Sequence, residues 1–370
     1  MCKRKIRILQ VIGGLNMGGA ETFLMNILRN IDRNKYQFIF LCYGNKHFDY
    51  EDEAISLGAK IIRISLPKKV LDLAMIFNIK KIIINEKIDI VHIHTYYNSM
   101  YAVLAAKAAK VKEIIVHSHS TKSEPNPNLA KRIYFKIAKI IINKYSTTLL
   151  ACGKEAGGAF FTKEFQIINN GIELEKFRYS EEARKNIRKE LRIEGDEILI
   201  GHVGRLEPVK NHQFMIELIK RLSEYNSKYK MIFIGDGSLR KKIEQDTKKM
   251  NINDKVIFAG KRKDVNKIYS AMDLFIFPSL FEGLPVSLIE AQVSGLQVIA
   301  SDNIDKKVNI VHSMLFLSNN QIEEWIINIQ NYEPKNRNIN EKYFFEYDIR
   351  DAVAKLEKIY AANGCNNVKG

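Results

Sequence analysis

The 370-residue sequence contains no apolar run approaching the ~20 residues a membrane-spanning helix needs. Its four cysteines, Cys2, Cys42, Cys152 and Cys365, are scattered, with no CxxC pair and no histidine at metal-ligand spacing. That pattern argues against a disulfide framework or a zinc site and fits a reducing compartment. No short-period repeat is present, and Asp-x-Asp occurs nowhere. Acidic residues are in deficit, 42 against 58 lysines and arginines, for a net charge of +16. The excess favours an anionic partner: nucleic acid, an acidic membrane surface or a phosphorylated small molecule. No nucleic-acid-binding module and no aromatic–basic interleaving supports the first.

A hydrophobic content of 46% with 27% charged residues indicates a globular, soluble or peripheral protein. The length exceeds what one core usually supports, roughly 250–300 residues, so two domains are expected. The basic start followed by an apolar run superficially suggests a leader. The run is broken by Gln10 and ends in a glycine-rich loop without a small-residue cleavage site, so it predicts a first buried strand.

Short apolar runs alternate with longer helical patterns. The first half predicts strands at Ile6–Ile12, Gln37–Cys42, Lys60–Ser65, Ile88–His92, Glu113–His117 and Leu149–Ala151, with helices such as Ala20–Arg29 and Asn98–Lys110. After the Asn169-Asn170-Gly171 turn and a polar, solvated helix over Glu181–Arg192, the pattern restarts. Strands are predicted at Ile198–Val203, Tyr229–Ile234, Lys255–Ala259, Leu274–Phe277 and Gln297–Ala300. The fold class is α/β, two doubly wound parallel-sheet domains, with boundaries at 1–175 and 176–340. Residues 341–370 form a C-terminal segment, helical over Asn340–Ala362, left open between capping one domain and bridging both.

In open parallel sheets, ligands bind beyond the carboxyl ends of strands, and three motifs stand there. Gly13-Gly14-Leu15-Asn16-Met17-Gly18-Gly19 follows the first strand and opens a helix, whose N-terminus suits an anion. It does not match the dinucleotide spacing, and a ligand-free tight turn is the alternative. Arg205 and Lys210 share the loop after Ile198–Val203, where they can grip a diphosphate, or serve as ordinary exposed cations. The third motif, Pro278 to Ala291, carries Glu282 in a loop and Glu290 on the following helix. Gly283, Leu284 and Pro285 lie at the turn between them. Carboxylates bracketing an anion site suit neutral hydroxyls; a capping and a solvated glutamate are the alternative. Gly235-Asp236-Gly237 and Gly260-Lys261-Arg262 are candidates to line a nucleobase pocket. His92, His94, His117 and His119 lie at strand ends without acidic partners, a poor metal set, so no metal is expected. His117 is the first choice to orient a hydroxyl.

Together GGLNMGGAET, VHSHS, NNGIELEKF, GHVGRLEPVKN, IGDG and FEGLPVSLIEA followed by VIASD resemble glycosyltransferase family 4, the retaining group of GT-B architecture. The wording is nearest to bacterial exopolysaccharide and capsule enzymes, and the likeness covers nearly the whole chain. It implies two facing Rossmann-like domains and transfer of a hexose-type sugar from a nucleotide diphosphate sugar, with UDP favoured. The donor is a substrate, and no cofactor is implied. Arg205 and Lys210 would bind the diphosphate, Glu290 the ribose hydroxyls and Glu282 the transferred sugar. Backbone at Gly283, Leu284 and Pro285 would meet donor oxygens, with Gly18 and Gly19 approaching the phosphates. Arg262 would join the donor set, and His117 would line the catalytic cleft. The family's Gly-x-Pro-Glu-like segment is missing; Ser301-Asp302-Asn303-Ile304-Asp305 stands there.

The implied acceptor is a glycan or an undecaprenyl-type lipid-linked glycan, and the implied place is cytoplasmic, including the inner face of the membrane. Asn128–Tyr145 sets Lys131, Arg132, Lys136, Lys139 and Lys144 beside Leu129, Ile133, Ile137, Ile140 and Ile141 with no acid. That suits either an anionic membrane surface or a basic solvated face over a core stripe. Two alternatives share the architecture: a nucleotide-sugar 2-epimerase, and a non-catalytic nucleotide-sugar-binding paralogue.

Overall fold

A computed structural model describes residues 4–67, 72–119, 127–283 and 285–364; Cys2, Leu284 and Cys365 lie outside them. The chain divides into two compact units, Met1–Ile172 with Glu346–Gly370, and Glu173–Phe345. The last segment is therefore not a separate piece but part of the first unit.

In the first unit the strands are β1 (Ile6–Ile12), β2 (Tyr36–Tyr43), β3 (Lys60–Ile64), β4 (Ile90–Ile93), β5 (Glu113–Ser118), β6 (Thr148–Ala151) and β7 (Gln166–Ile167). They form one parallel sheet in the order β3-β2-β1-β4-β5-β6-β7. The helices between them are α1 (Gly19–Asn30), α2 (Glu51–Ser56), α3 (Leu73–Asn85), α4 (Ser99–Ala108), α5 (Leu129–Tyr145) and α6 (Lys154–Phe160). Strand residues alternate between two cores, as period-2 geometry dictates. Ile8, Ile90 and Ile115 face α1, whereas Leu9, Val91 and Ile114 face α3, α4 and α5.

The second unit opens with α7 (Leu174–Phe177) and α8 (Glu181–Glu190). Its strands β8 (Ile198–Val203), β9 (Tyr229–Ile234), β10 (Val256–Gly260), β11 (Leu274–Phe277), β12 (Gln297–Ser301) and β13 (Met314–Leu317) pair in parallel as β10-β9-β8-β11-β12-β13. The helices α9 (His212–Tyr225), α10 (Arg240–Lys249), α11 (Val265–Ala271), α12 (Val286–Val293) and α13 (Ile322–Gln330) complete it. Both sheets have a topological switch point, between β1 and β4 and between β8 and β11, where opposite-going connections leave a crevice.

Two expectations change. The terminal pattern is not one helix: a 3-10 segment, Glu341–Tyr347, precedes α14 (Ile349–Gly364). Between them the chain re-enters the first unit through Ile172, whose N–H donates to Tyr347 O at 2.8 Å while its carbonyl accepts from Ile349 N at 2.9 Å. Helix α14 then lays Ile349, Val353, Leu356 and Tyr360 against α1 and β1, which settles its place as a cover of that core. The α8 segment is also less solvated than its polarity suggests. Arg188 is buried, and Asp273 binds both Arg184 Nη2 at 2.6 Å and Arg188 Nη1 at 3.1 Å while accepting from Leu199 N at 2.7 Å. Charge periodicity does not distinguish a solvated arginine from one clamped on a buried carboxylate.

Candidate active site

The crevice between β8 and β11 in the second unit gathers the strongest sequence motifs. The loop after β8 is stitched to the loop after β11 by Leu280 N donating to Val209 O at 2.9 Å. This brings Lys210 Nζ to 2.8 Å from Glu282 Oε1, with the two side chains only 14% and 18% exposed. The approach is ionic and not aligned as a hydrogen bond, so Glu282 Oε1 is left without a donor among the described residues. The same ammonium lies 4.5 Å from the centroid of Phe277, a cation–π contact at the end of β11. Beneath it, burial first and then neighbouring His212 and Lys210 hold His202 well below the usual imidazole range. His202 is therefore neutral and adds no repulsion. Arg205, on the same loop, is exposed and makes no ion pair among the described residues.

Glycines at the next loop let two loops pack closely. A side chain at Gly235, whose φ is +133°, would run into the carbonyl of Gly204, and one at Gly237 into the backbone of Leu206. Glu207 locks the junction by accepting from Ser238 Oγ at 2.7 Å and Ser238 N at 3.1 Å. The β8 loop that carries Arg205 and Lys210 is thus fixed on two sides.

Pro285 is buried and caps α12, one position earlier than the first helical turn; Gly283 is exposed, and Leu284 is outside the described residues. Glu290, on α12, accepts from the Tyr269 hydroxyl at 2.8 Å. Part of its surface stays open, yet dense surroundings push its carboxyl up to about 7, with the Tyr269 bond opposing. A half-protonated carboxyl near neutral pH is ready to ionise when hydroxyl donors arrive.

Two expected donor ligands find other partners. Arg262 gives Nη1 to Glu190 at 2.6 Å and Nε and Nη2 to Asp264 at 2.7 and 2.8 Å. Its guanidinium is committed to joining α8 to the start of α11. At the first unit's helix start, Gly18 caps α1 without a side-chain bond, and Glu21 in the first turn folds its carboxylate back over Gly18. That carboxylate lies against the helix start, and neither Gly18 nor Gly19 has a positive φ.

Beside the β1/β4 switch point lies a histidine cluster. Gln10, His92, His94, His117 and His119 all project from one face of neighbouring strands, since Gln10 pairs with His92 and residues two apart share a face. Gln10 Nε2 donates to the Tyr360 hydroxyl at 3.3 Å, which lies 2.7 Å from His92 Nδ1. Gln10 Oε1 meets His94 Nε2 at 2.9 Å, and His94 Nδ1 meets His119 Nε2 at 2.8 Å. His117 is buried, and among the described residues neither ring nitrogen makes a well-aligned hydrogen bond, the Ile168 backbone being its polar neighbour; His94 and His119 keep some exposure. Burial, followed by repulsion between neighbouring imidazoles, holds His92, His94 and His117 well below the usual range, and burial puts His119 at about 4. All four rings are neutral at pH 7.

Sequence reasoning missed Tyr269, Phe277, Gln10 and Tyr360. The strand period places Gln10 opposite the histidines and could have found it. Nothing local marks Tyr269 or Tyr360, which arrive from distant elements.

Known proteins locate this pair of units. Residues 17–176 match the family model described as Glycosyltransferase Family 4, and residues 183–329 the model for Glycosyl transferases group 1. A Bacillus subtilis (strain 168) protein named as a glycosyltransferase, EpsF, is 35% identical over 310 residues, covering 82% of this chain and 81% of its own. An Escherichia coli enzyme, UDP-Gal:alpha-D-GlcNAc-diphosphoundecaprenol alpha-1,3-galactosyltransferase, is 26% identical over 383 residues, covering 96% and 97%. Among solved structures, Anabaena Alr3699/HepE in complex with UDP-glucose superposes with a TM-score of 0.78 at 17% identity, covering 96% of this chain and 99% of that one. Paired parallel sheets, a cationic loop and two glutamates at the second switch point, and these matches together make the chain a glycosyltransferase of the GT-B class, a member of glycosyltransferase family 4.

Proposed function

We propose that the protein transfers a hexose-type sugar, with retention of configuration, from a UDP-sugar to a glycan or lipid-linked glycan acceptor in surface polysaccharide synthesis. The observation that carries this proposal is the Lys210–Glu282 pair at the β8/β11 crevice. Departure of a nucleotide diphosphate leaves negative charge on the leaving oxygen, and Lys210 with Arg205 supplies fixed positive charge without a metal. Glu282 Oε1, lacking a hydrogen-bond donor, is free to accept from a sugar hydroxyl. Glu290 suits ribose hydroxyls in its ionised form. The departing phosphate assists removal of the acceptor proton on the leaving-group face. HepE, a relative in fold, binds UDP and UDP-glucose, and the E. coli relative is named for a UDP-Gal donor and a diphosphoundecaprenol acceptor, which supports these choices.

The acceptor side is proposed to be reached at an anionic membrane surface. The inner stripe of α5 is Ala138 and Ile142, leaving Leu129, Ile133 and Ile140 outside with Lys131, Arg132 and Lys136. On α3, Leu73, Phe77 and Ile84 are also exposed. A mixed apolar and basic outer face is the composition of an interfacial helix. No helix among the described residues is long and apolar enough to cross a membrane.

The test is a panel of UDP- and GDP-sugars, read first by thermal stabilisation. The stabilising donor is then incubated with lipid-linked and free glycan acceptors, with and without EDTA, and the anomeric configuration of the product is read by NMR. Stabilisation by a UDP-sugar and a retained product formed in EDTA are expected. An inverted product, an EDTA-sensitive rate, or a new nucleotide sugar formed without acceptor would overturn it.

A further inference from the structure

The histidine cluster of the first unit offers a second chemistry beside the hydroxyl-orienting role expected of His117. His-x-His on β4 and His-x-His on β5 place four imidazoles on one face of adjacent strands. Ligand nitrogens of His92, His94 and His117 all lie within 4.8 Å of one another. Inside this group His92 Nε2 has no hydrogen-bond partner among the described residues, and His117 has only a poorly aligned contact with the Ile168 backbone; His92 and His117 are 0% and 1% exposed. An unpartnered buried nitrogen is costly, and such groups ordinarily mark a missing partner.

We propose that His92, His94 and His117 bind one divalent transition metal ion of the zinc class, as an accessory site that stabilises the first unit. Imidazole sets without carboxylates select zinc, copper and nickel over magnesium, calcium and manganese. His94 is only half-buried, which gives the ion a way in. His117 offers a nitrogen without giving up any existing bond. His92 offers Nε2 while Tyr360 holds its Nδ1 at 2.7 Å, the outer-shell contact that metal-bound histidines usually have. His94 joins by exchanging one of its two hydrogen bonds, to Gln10 or to His119, for the metal. Proton balance is met within the hydrogen-bonded chain. If His92 carries its proton on Nδ1, Tyr360 can donate to Gln10 Oε1, and the turned amide can donate to His94 Nε2. His94 Nδ1–H then donates to His119 Nε2. Its last member, His119, can donate from Nδ1 to Asn170 Oδ1, the side chain beside it. All rings stay neutral, so binding near pH 7 needs no bulk proton release. The ligands all belong to the first unit.

The full chain, stripped with a chelator, is titrated with cobalt and then zinc. One equivalent of cobalt should produce the visible bands of a low-coordinate nitrogen site, and zinc should abolish them. The thermal midpoint should rise with zinc and not with magnesium. His117→Gln should lose the bands, Tyr360→Phe should weaken zinc binding about tenfold or more, and His47→Ala, at an exposed surface histidine, should change nothing. Absence of both bands and zinc stabilisation in the unmodified protein would mean that water alone fills the gap, and would overturn the proposal. Bands that persist in folded His117→Gln would place the metal elsewhere and overturn it equally. Should His117→Gln not fold, paramagnetic broadening of the His92 and His117 ring signals in the unmodified protein decides, and unbroadened signals reject the site.

Discussion

Lys210 and Glu282 come from different strand ends yet meet at 2.8 Å, with the ammonium also resting over Phe277. The pair positions a cation beside a carboxylate that still lacks a hydrogen-bond donor. Lys210→Ala removes charge from the place where the leaving group becomes negative. A loss of about 10²–10³-fold in kcat is expected, the scale for deleting one preorganised electrostatic group. Lys210→Arg should recover only part, since a planar fork does not fit a point-charge site. Steady-state kinetics with the stabilising donor, alongside a thermal melt to confirm folding, checks this.

Glu290 gives the second prediction, and its sign is opposite to that of an ion-paired carboxylate. Burial raises its pKa from the ordinary 4.5 to about 7. Between those values the folded protein keeps a proton that the unfolded chain has lost. The stability this group contributes is therefore full below about pH 4.5 and disappears as pH rises towards 7. Glu290→Gln should flatten that slope in pH-dependent urea melts. UDP, whose ribose hydroxyls favour the ionised carboxylate, should bind more tightly at pH 8 than at pH 6, and that difference should vanish in the variant.

The Tyr360 hydroxyl closes a buried chain through Gln10 and His92. Tyr360→Phe keeps the ring's packing and strands two polar groups. About 1–3 kcal/mol of destabilisation is expected, read by urea denaturation with the first unit's unfolding followed by hydrogen exchange over β1 and β4.

Arg188 and Asp273 are nearly buried, at 9% and 11% side-chain exposure. Arg188→Ala leaves Asp273 with a reduced partner set at the start of β8, and a loss of about 3–5 kcal/mol is expected by analogy with broken buried ion pairs. Arg221→Ala, at an exposed pair on α9, should leave the urea midpoint almost unchanged.

For the outer face of α5, changing Lys131, Arg132 and Lys136 to glutamate should abolish flotation with anionic vesicles. Each basic residue near such a surface is worth about 1 kcal/mol, so loss of three weakens binding roughly 100-fold before repulsion is counted. Equal flotation of both forms, or none with the unmodified protein, would remove the membrane from the proposal.

The two sheets were legible because strand runs such as Ile6–Ile12, Ile198–Val203, Tyr229–Ile234 and Leu274–Phe277 are short and bounded by turn residues; these match residue for residue. Two-residue β7 carries too little pattern to be read, and β13, as long as β11, is a partly exposed edge strand that was not predicted. Arg205, Lys210 and Glu282 could be placed by loop position alone, because a strand end fixes where its loop emerges. Arg262 could not, because its carboxylate partners come partly from a helix 72 residues away. His117 was chosen by its motif, whereas accessibility favours His119 and His94; burial of a strand-end residue depends on what covers the sheet, and α14 arrives last in the chain.

That late arrival bears on how the protein is made. The core of the first unit is finished by residues 346–370, after the whole of the second has been synthesised. On the ribosome, the β1 and α1 surfaces that receive Leu356 and Tyr360 stay uncovered while Glu173–Phe345 emerges and folds. Any product cut short before α14 would present that apolar surface to chaperones and proteases.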